Sequence, residues 1–249
     1  MDLLVVGAGE MGRWLARVVA DDLEVTFADV DPAVASAAAE TVGGETVSLD
    51  GDERFDAVCL AVPMAAVPDA VATHAHRAER ALIDVTGVMC PVVAASRSHA
   101  PERERLSLHP LFSPANAPGN VAAVHDATGP VTHRVRATLS DAGNRVFDTT
   151  PTEHDEAMRT VQAAAHAAVL AYGLASEPVR PEFETPVSRR LDDLVQTVSG
   201  GTPRVYRDIQ RTFDGAERVA TAARRVAAAD NETFEQLYYE AGGGRQSER

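Results

Sequence analysis

The stretch "LLVVGAGEMGRWLARVV", residues 3–19, constrains the fold more than any other part of the chain. A short apolar, β-branched run meets Gly7, Gly9 and Gly12 in Gly-x-Gly-x-x-Gly spacing, and an amphipathic helical pattern follows at once. A strand that turns on glycines into a helix opens a βαβ unit. Gly7 permits the tight turn, Gly9 lets a pyrophosphate approach the backbone, and Gly12 lets helix and strand pack closely. Glu10 and Met11 share this turn and join the glycines as candidate dinucleotide contacts. The alternative is a tight turn that binds nothing. Asp29 adds weight to the first reading, because it closes the next strand-like run 17 residues after Gly12. A carboxylate there accepts hydrogen bonds from a ribose diol. Val30, Asp31 and Pro32 follow it with no arginine for a 2′-phosphate, so the expected cofactor is NAD and not NADP.

The same rhythm continues. Strand-like runs at 3–7, 24–29, 57–63, 81–87, 105–112, 120–126 and 145–150 alternate with helical stretches at 10–20, 32–41, 65–78 and 130–141. Near-continuous apolar strands separated by helices predict an α/β, Rossmann-like, doubly wound and mostly parallel sheet over residues 1–150. An all-helical domain is expected over residues 151–249. Its first helix is capped by Thr152 and runs to Gly173, and a second ends at Gly200 and Gly201. Pro203 opens a third that continues to Ala228, a short one covers 231–240, and 241–249 is a frayed tail. Ala-rich helices with few large side chains pack poorly alone, which predicts a homodimer through this domain.

Charge narrows the function classes. The 23 basic residues are all arginine and face 37 acidic ones, giving a net charge of −14 that disfavours nucleic acid and anionic membranes as partners. A lysine-free, acid-rich chain also suits a halophile's surface. No window approaches the ~20 apolar residues of a membrane span, and "MDLLVVGAG" has no signal-peptide layout, so the expected compartment is the cytoplasm. Cys59 and Cys90 lie in or beside apolar runs and are read as small core residues. The scattered histidines form no ligand-spaced set, so no metal site is expected.

Candidate chemistry gathers at strand ends. "AVPM" brings Val62 and Pro63, and "DVTGV" brings Thr86 and Gly87, to where backbone groups of an open α/β sheet meet a nicotinamide ribose. Ordinary strand-to-helix turns look similar. In "LSLHPLFSP", His109 closes a strand on the same expected edge. It is either a half-exposed turn histidine bonded to a carbonyl or a base at the lip of the sheet. His166, one helical turn after Gln162, is by position alone an ordinary helix histidine.

Together, "GAGEMG", "DVTGV", "LHPLFSP", "EHDEAMRTVQAAAHA" and "GGTPRVYRDIQ" occur in that order over residues 1 to about 215, and resemble the prephenate dehydrogenases of tyrosine biosynthesis. The resemblance implies an NAD-binding Rossmann domain, a helical dimerisation domain and an active site between them. The implied reaction is oxidative decarboxylation of prephenate to 4-hydroxyphenylpyruvate, CO2 and NADH. His109 takes the place of the family's catalytic histidine at the ring hydroxyl, and His166 that of its helical-domain histidine. Gly87, Gln162, Arg204 and Tyr206 fall in the implied substrate-binding set. Two positions depart from the pattern. Gly87 stands where the family commonly has serine, leaving Thr86 as the nearest hydroxyl. Thr197 stands where it has a carboxylate-binding arginine, so Arg189, Arg190, Arg204 or Arg207 supplies that charge, or the substrate is a variant such as arogenate. A related reductase acting on an imine or deazaflavin, and a non-catalytic NAD-sensing protein, are the competing readings.

Overall fold

The computed structural model describes residues 1–243. The chain forms two compact units, Met1–Glu156 and Ala157–Arg249.

In the first unit, strands β1 (Asp2–Val6), β2 (Glu24–Ala28), β3 (Glu45–Thr46), β4 (Phe55–Leu60), β5 (Ala78–Val85), β6 (Glu104–Pro110), β7 (Asn120–Ala127) and β8 (Arg145–Asp148) build one sheet. Its order is β3-β2-β1-β4-β5-β6-β7-β8. β1 to β6 are parallel, β7 runs antiparallel to β6, and β8 is parallel to β7. The central strands are apolar on both faces because helices cover both. The main core joins Leu3, Val5, Phe27, Cys59, Ile83, Leu106 and Leu108 to Trp14 and Leu15 of α1 (Glu10–Val19) and to Val131, Val135 and Leu139 further along the chain. Next come α2 (Pro32–Val42), α3 (Val67–His74), α4 (Cys90–His99), α5 (Pro130–Asp141) and α6 (Pro151–Met158).

The expected mostly parallel sheet is present, with differences in detail. α4 is a helix that the strand and helix pattern did not include: a proline in its first turn starts it where the apolar flanks suggested continuing strand. Cys90 is therefore not a core residue. It is exposed at the first position of α4, whereas Cys59 is fully buried in β4. The cap of α6 is Thr150 and not Thr152, since Thr150 Oγ1 accepts from the Glu153 amide at 3.2 Å.

In the second unit, the expected long helix is interrupted. A π-helical segment covers Arg159–Ala164 before α7 (Ala165–Ala175). Then follow α8 (Pro186–Ser199), α9 (Pro203–Thr212), α10 (Gly215–Ala228) and α11 (Asn231–Ala241). The single helix expected from Pro203 to Ala228 breaks at Phe213 and Asp214, and α10 opens on Gly215. A Cβ at Gly215 would overlap the Ala163 backbone, so only glycine lets α10 approach the π segment this closely. Residues 244–249 of the expected tail lie outside the described residues. Among the described residues no helix is long and apolar enough to cross a membrane.

Candidate active site

The glycine turn after β1 has the geometry that its spacing predicted. Gly7 adopts φ +98°, a region that L side chains avoid, and a Cβ there would come 2.5 Å from the Ala61 carbonyl oxygen. A Cβ at Gly12 would overlap the Gly7 carbonyl. Gly9, the N-cap of α1, faces open space, with nothing within 4 Å of a Cβ placed on it. That combination, two packed glycines around an open one at a helix N-terminus, is a cradle with room for a pyrophosphate. Glu10 is exposed on the first turn of α1 and Met11 is half-buried behind it. Asp29 follows β2, and its Oδ2 accepts from the Ala8 amide at 2.7 Å while Oδ1 accepts from the Asp31 amide at 3.0 Å. The carboxylate is thus fastened to the glycine turn beside the cradle. The next loop borders the same turn: the Val62 side chain lies 3.2 Å from where a Gly7 Cβ would sit, and Pro63 follows. These residues fit a dinucleotide.

His109 closes β6. Because β6 is parallel to β5, the imidazole lies on the carboxyl edge of the sheet, the edge that also carries the glycine turn, Asp29, Val62 and Thr86. It is not a half-exposed turn histidine. The residue is 8% exposed, and its Nδ1 lies 2.8 Å from Nε2 of His154. Nδ1 of His154 lies in turn 2.8 Å from Asp155 Oδ1. Asp155 also accepts the Met89 amide on Oδ1 and the Cys90 amide on Oδ2, each at 2.9 Å, so it caps the N-terminus of α4. The other ring nitrogen, Nε2 of His109, faces the turn after β5. A Cβ at Gly87 would come 3.6 Å from it and 3.0 Å from the Met64 methyl. Thr86 is buried, and its Oγ1 accepts from the Val88 amide at 3.5 Å.

Electrostatics follow from this packing. Burial, and then the neighbouring His154, pull the His109 imidazole down to about 3. The ring is therefore neutral through the physiological range, as a proton acceptor must be. Burial alone would raise the Asp155 carboxyl, but hydrogen bonds from His154 and from the Met89 and Cys90 amides hold it below the usual range.

In the helical unit, Gln162 lies on the π segment and His166 on α7. The His166 ring meets Tyr206 of α9 edge to face, 4.9 Å between centroids. Burial lowers its basicity, and its Nδ1 is buried with no hydrogen-bond partner among the described residues. Gln210, to which the sequence pattern assigns no role, donates through Nε2 to the Ala163 carbonyl at 2.8 Å. Arg204 is exposed on the first turn of α9, and Thr197 is exposed on α8.

His154 and Asp155 are the residues around His109 that sequence reasoning left without a role. The signal was present in the Glu-His-Asp run: two adjacent ionisable residues at a helix start, one of which is then 3% exposed.

No family profile matches the chain. It is 32% identical over 269 residues to a 4-amino-4-deoxyprephenate dehydrogenase from Streptomyces pristinaespiralis, an alignment that spans 97% of this chain and 90% of the relative. Among solved structures it is similar to the prephenate dehydrogenase of A. aeolicus in complex with hydroxyphenyl propionate and NAD+, at TM-score 0.73 and 18% identity over 98% of this chain and 97% of the other. The Synechocystis arogenate dehydrogenase aligns at TM-score 0.58 and 16% identity, covering 98% and 99% of the two chains. With a relative this similar matched over nearly its whole length, and with the fold of these solved structures, the chain belongs to the prephenate/arogenate dehydrogenase family.

Proposed function

We propose that this dehydrogenase catalyses NAD-dependent oxidative decarboxylation of prephenate to 4-hydroxyphenylpyruvate, in tyrosine biosynthesis. The observation that carries the reading is His109 on the carboxyl edge: buried, neutral, bonded through Nδ1 to His154, with Nε2 turned to the small residue Gly87. NAD, when bound, accepts a hydride from the ring carbon that bears the substrate's hydroxyl. Gly7, Gly9, Glu10, Met11 and Gly12 would hold its pyrophosphate, and Asp29 its adenosine ribose. Val62, Pro63 and Thr86 would line the nicotinamide side. Nε2 of His109 accepts the hydrogen bond of the ring hydroxyl and so raises electron density on the carbon that is losing hydride. Loss of CO2 aromatises the ring, so the driving force is the substrate's, and the protein's task is alignment and charge placement. Gln162, His166, Arg204 and Tyr206 are assigned to the substrate, with Arg204 the arginine we assign to its carboxylate. The helical unit exposes Leu174, Phe183, Val187 and Tyr238, which suits a homodimer through that unit. The compartment we assign is the cytoplasm.

A second reading has specific support. The relative from S. pristinaespiralis is named for a substrate with an amine in place of the ring hydroxyl, and Gly87 leaves the position beside His109 Nε2 without a side-chain hydroxyl. Arogenate, with its amine on the side chain, is the variant that the Thr197 position favours. One assay orders these readings: NADH formation by the purified protein at high salt with prephenate, arogenate or 4-amino-4-deoxyprephenate. Turnover strongest with prephenate supports the first reading. Turnover strongest with an amine moves the assignment to that substrate, and NAD binding with no turnover of any of them reduces the protein to a nucleotide sensor.

A further inference from the structure

The chain of contacts behind His109 has a direction, and the direction follows from Asp155. Its carboxylate accepts the two backbone amides of Met89 and Cys90 at the start of α4 and stays ionised, so the hydrogen between it and His154 belongs to Nδ1 of His154. With one proton on each ring, Nε2 of His154 then has a lone pair, and the 2.8 Å contact to His109 requires the proton on Nδ1 of His109. That puts the His109 lone pair on Nε2, the nitrogen facing Gly87. The titratable groups facing this pair are Asp155 and Cys90, whose thiol also bonds the Asp155 carboxylate.

We propose that His154 and Asp155 are positioning residues that act through His109, setting its tautomer and taking over the charge when Nε2 receives a proton. In that step an N–H bond forms at Nε2 of His109 as the donor's O–H or N–H bond breaks. The Nδ1–H bond of His109 breaks as its proton passes to Nε2 of His154. His109 ends neutral, with its proton on Nε2, and His154 ends as an imidazolium against the Asp155 carboxylate. One proton enters and one positive charge moves outward by one ring, 5.0 Å between centroids. The gain is electrostatic. An imidazolium at His109 would be buried one ring further from the Asp155 carboxylate, whereas at His154 it pairs with that anion at 2.8 Å. Returning the proton from Nε2 to the same oxygen or nitrogen, as loss of CO2 aromatises the ring, restores the hydroxyl or amine of the product and resets both rings.

The tautomer is measurable without any substrate. Long-range 1H–15N spectra of the full-length protein are expected to show His109 with a protonated Nδ1 and a bare Nε2. In His154→Phe, which keeps a ring in the packing, the expected result is a mixture or a switch to the Nε2–H form. Asp155→Asn removes the anion that favours the charged form of His109, so the acid limb of kcat is expected to move down by about one pH unit. kcat at neutral pH should fall roughly 10- to 100-fold with little change in the KM for NAD. A loss of packing alone would move neither the tautomer nor the limb. Wild-type His109 carrying its proton on Nε2, or an Nδ1–H tautomer that persists in His154→Phe, overturns the proposal. The kinetic arm rests on the reaction proposed above and the spectra do not. A responsive tautomer in a protein that turns over no cyclohexadienyl substrate would therefore leave the relay standing and remove the reaction.

Discussion

Replacing Asp84 with asparagine is expected to stabilise the protein by an amount that grows with pH. Asp84 lies on β5, 4% exposed, and its Oδ1 accepts from Ser107 Oγ on β6 at 2.8 Å. Burial is the larger influence and raises its pKa from 3.8 to about 8, against a smaller downward pull from the Ser107 hydrogen bond. The folded chain therefore holds a proton that the unfolded chain has released, and stability falls as pH rises between the two values. At about 1.4 kcal/mol per pH unit, the interval from 3.8 to neutral pH costs about 4 kcal/mol, while the interval to about pH 5 costs under about 2 kcal/mol. The asparagine side chain is neutral at every pH, has nearly the same shape and offers the Ser107 hydroxyl an amide oxygen, so the substitution avoids that cost. Guanidinium unfolding of both proteins at matched salt, from about pH 5 to about pH 8, reads the difference directly. The midpoint of Asp84→Asn should lie progressively higher as pH increases, with the gap levelling off above the folded pKa. A gap that stays constant with pH, or a variant weaker than wild type at neutral pH, would mean that Asp84 is ionised in the fold and refute the reasoning.

His109→Asn should lower kcat by ~10²–10⁴-fold while NAD affinity, measured by calorimetry, hardly changes; an undiminished kcat removes His109 from the chemistry. Gly87→Ser places an oxygen beside His109 Nε2 and needs only the flexible Met64 methyl to give way. The ratio of kcat/KM for the ring-hydroxyl substrate over the ring-amine substrate should rise by roughly 10-fold. An unmoved ratio would show that position 87 does not select the ring substituent. Asp29→Ala frees the Ala8 amide and removes the ribose acceptor, so the KM for NAD should climb ~10- to 100-fold with kcat nearly intact, and the preference over NADP should shrink. Equal KM values in wild type and variant would move the ribose elsewhere.

What was legible in the chain depended on the range of the interaction involved. The glycine turn, the parallel strands and the placing of His109 at a strand end are local patterns, and spacing with hydrophobic period reports them. The capture of His109 by His154 spans 45 residues, and nothing in the local sequence around either residue reports that distance being closed. α4 escaped the pattern because a proline and flanking apolar residues support either a strand end or a helix start. The break at Phe213 and Asp214 depends on a backbone contact between Gly215 and Ala163, a packing constraint with no periodic trace. In the helical unit, the Gln162 and His166 spacing was visible, but the π segment was not, because the alanine-rich run around it has no hydrophobic stripe whose shift by one residue would mark the wide turn.

That wide turn makes the second unit sensitive to chain length. Deleting one residue within Arg159–Ala164 would restore ordinary α-helical winding, because the wide turn holds about one residue more than an α-helical turn and absorbs the loss. His166 and Tyr206 both lie beyond that segment and would keep their edge-to-face contact, whereas the Ala163 backbone against which Gly215 seats α10 would be reshaped.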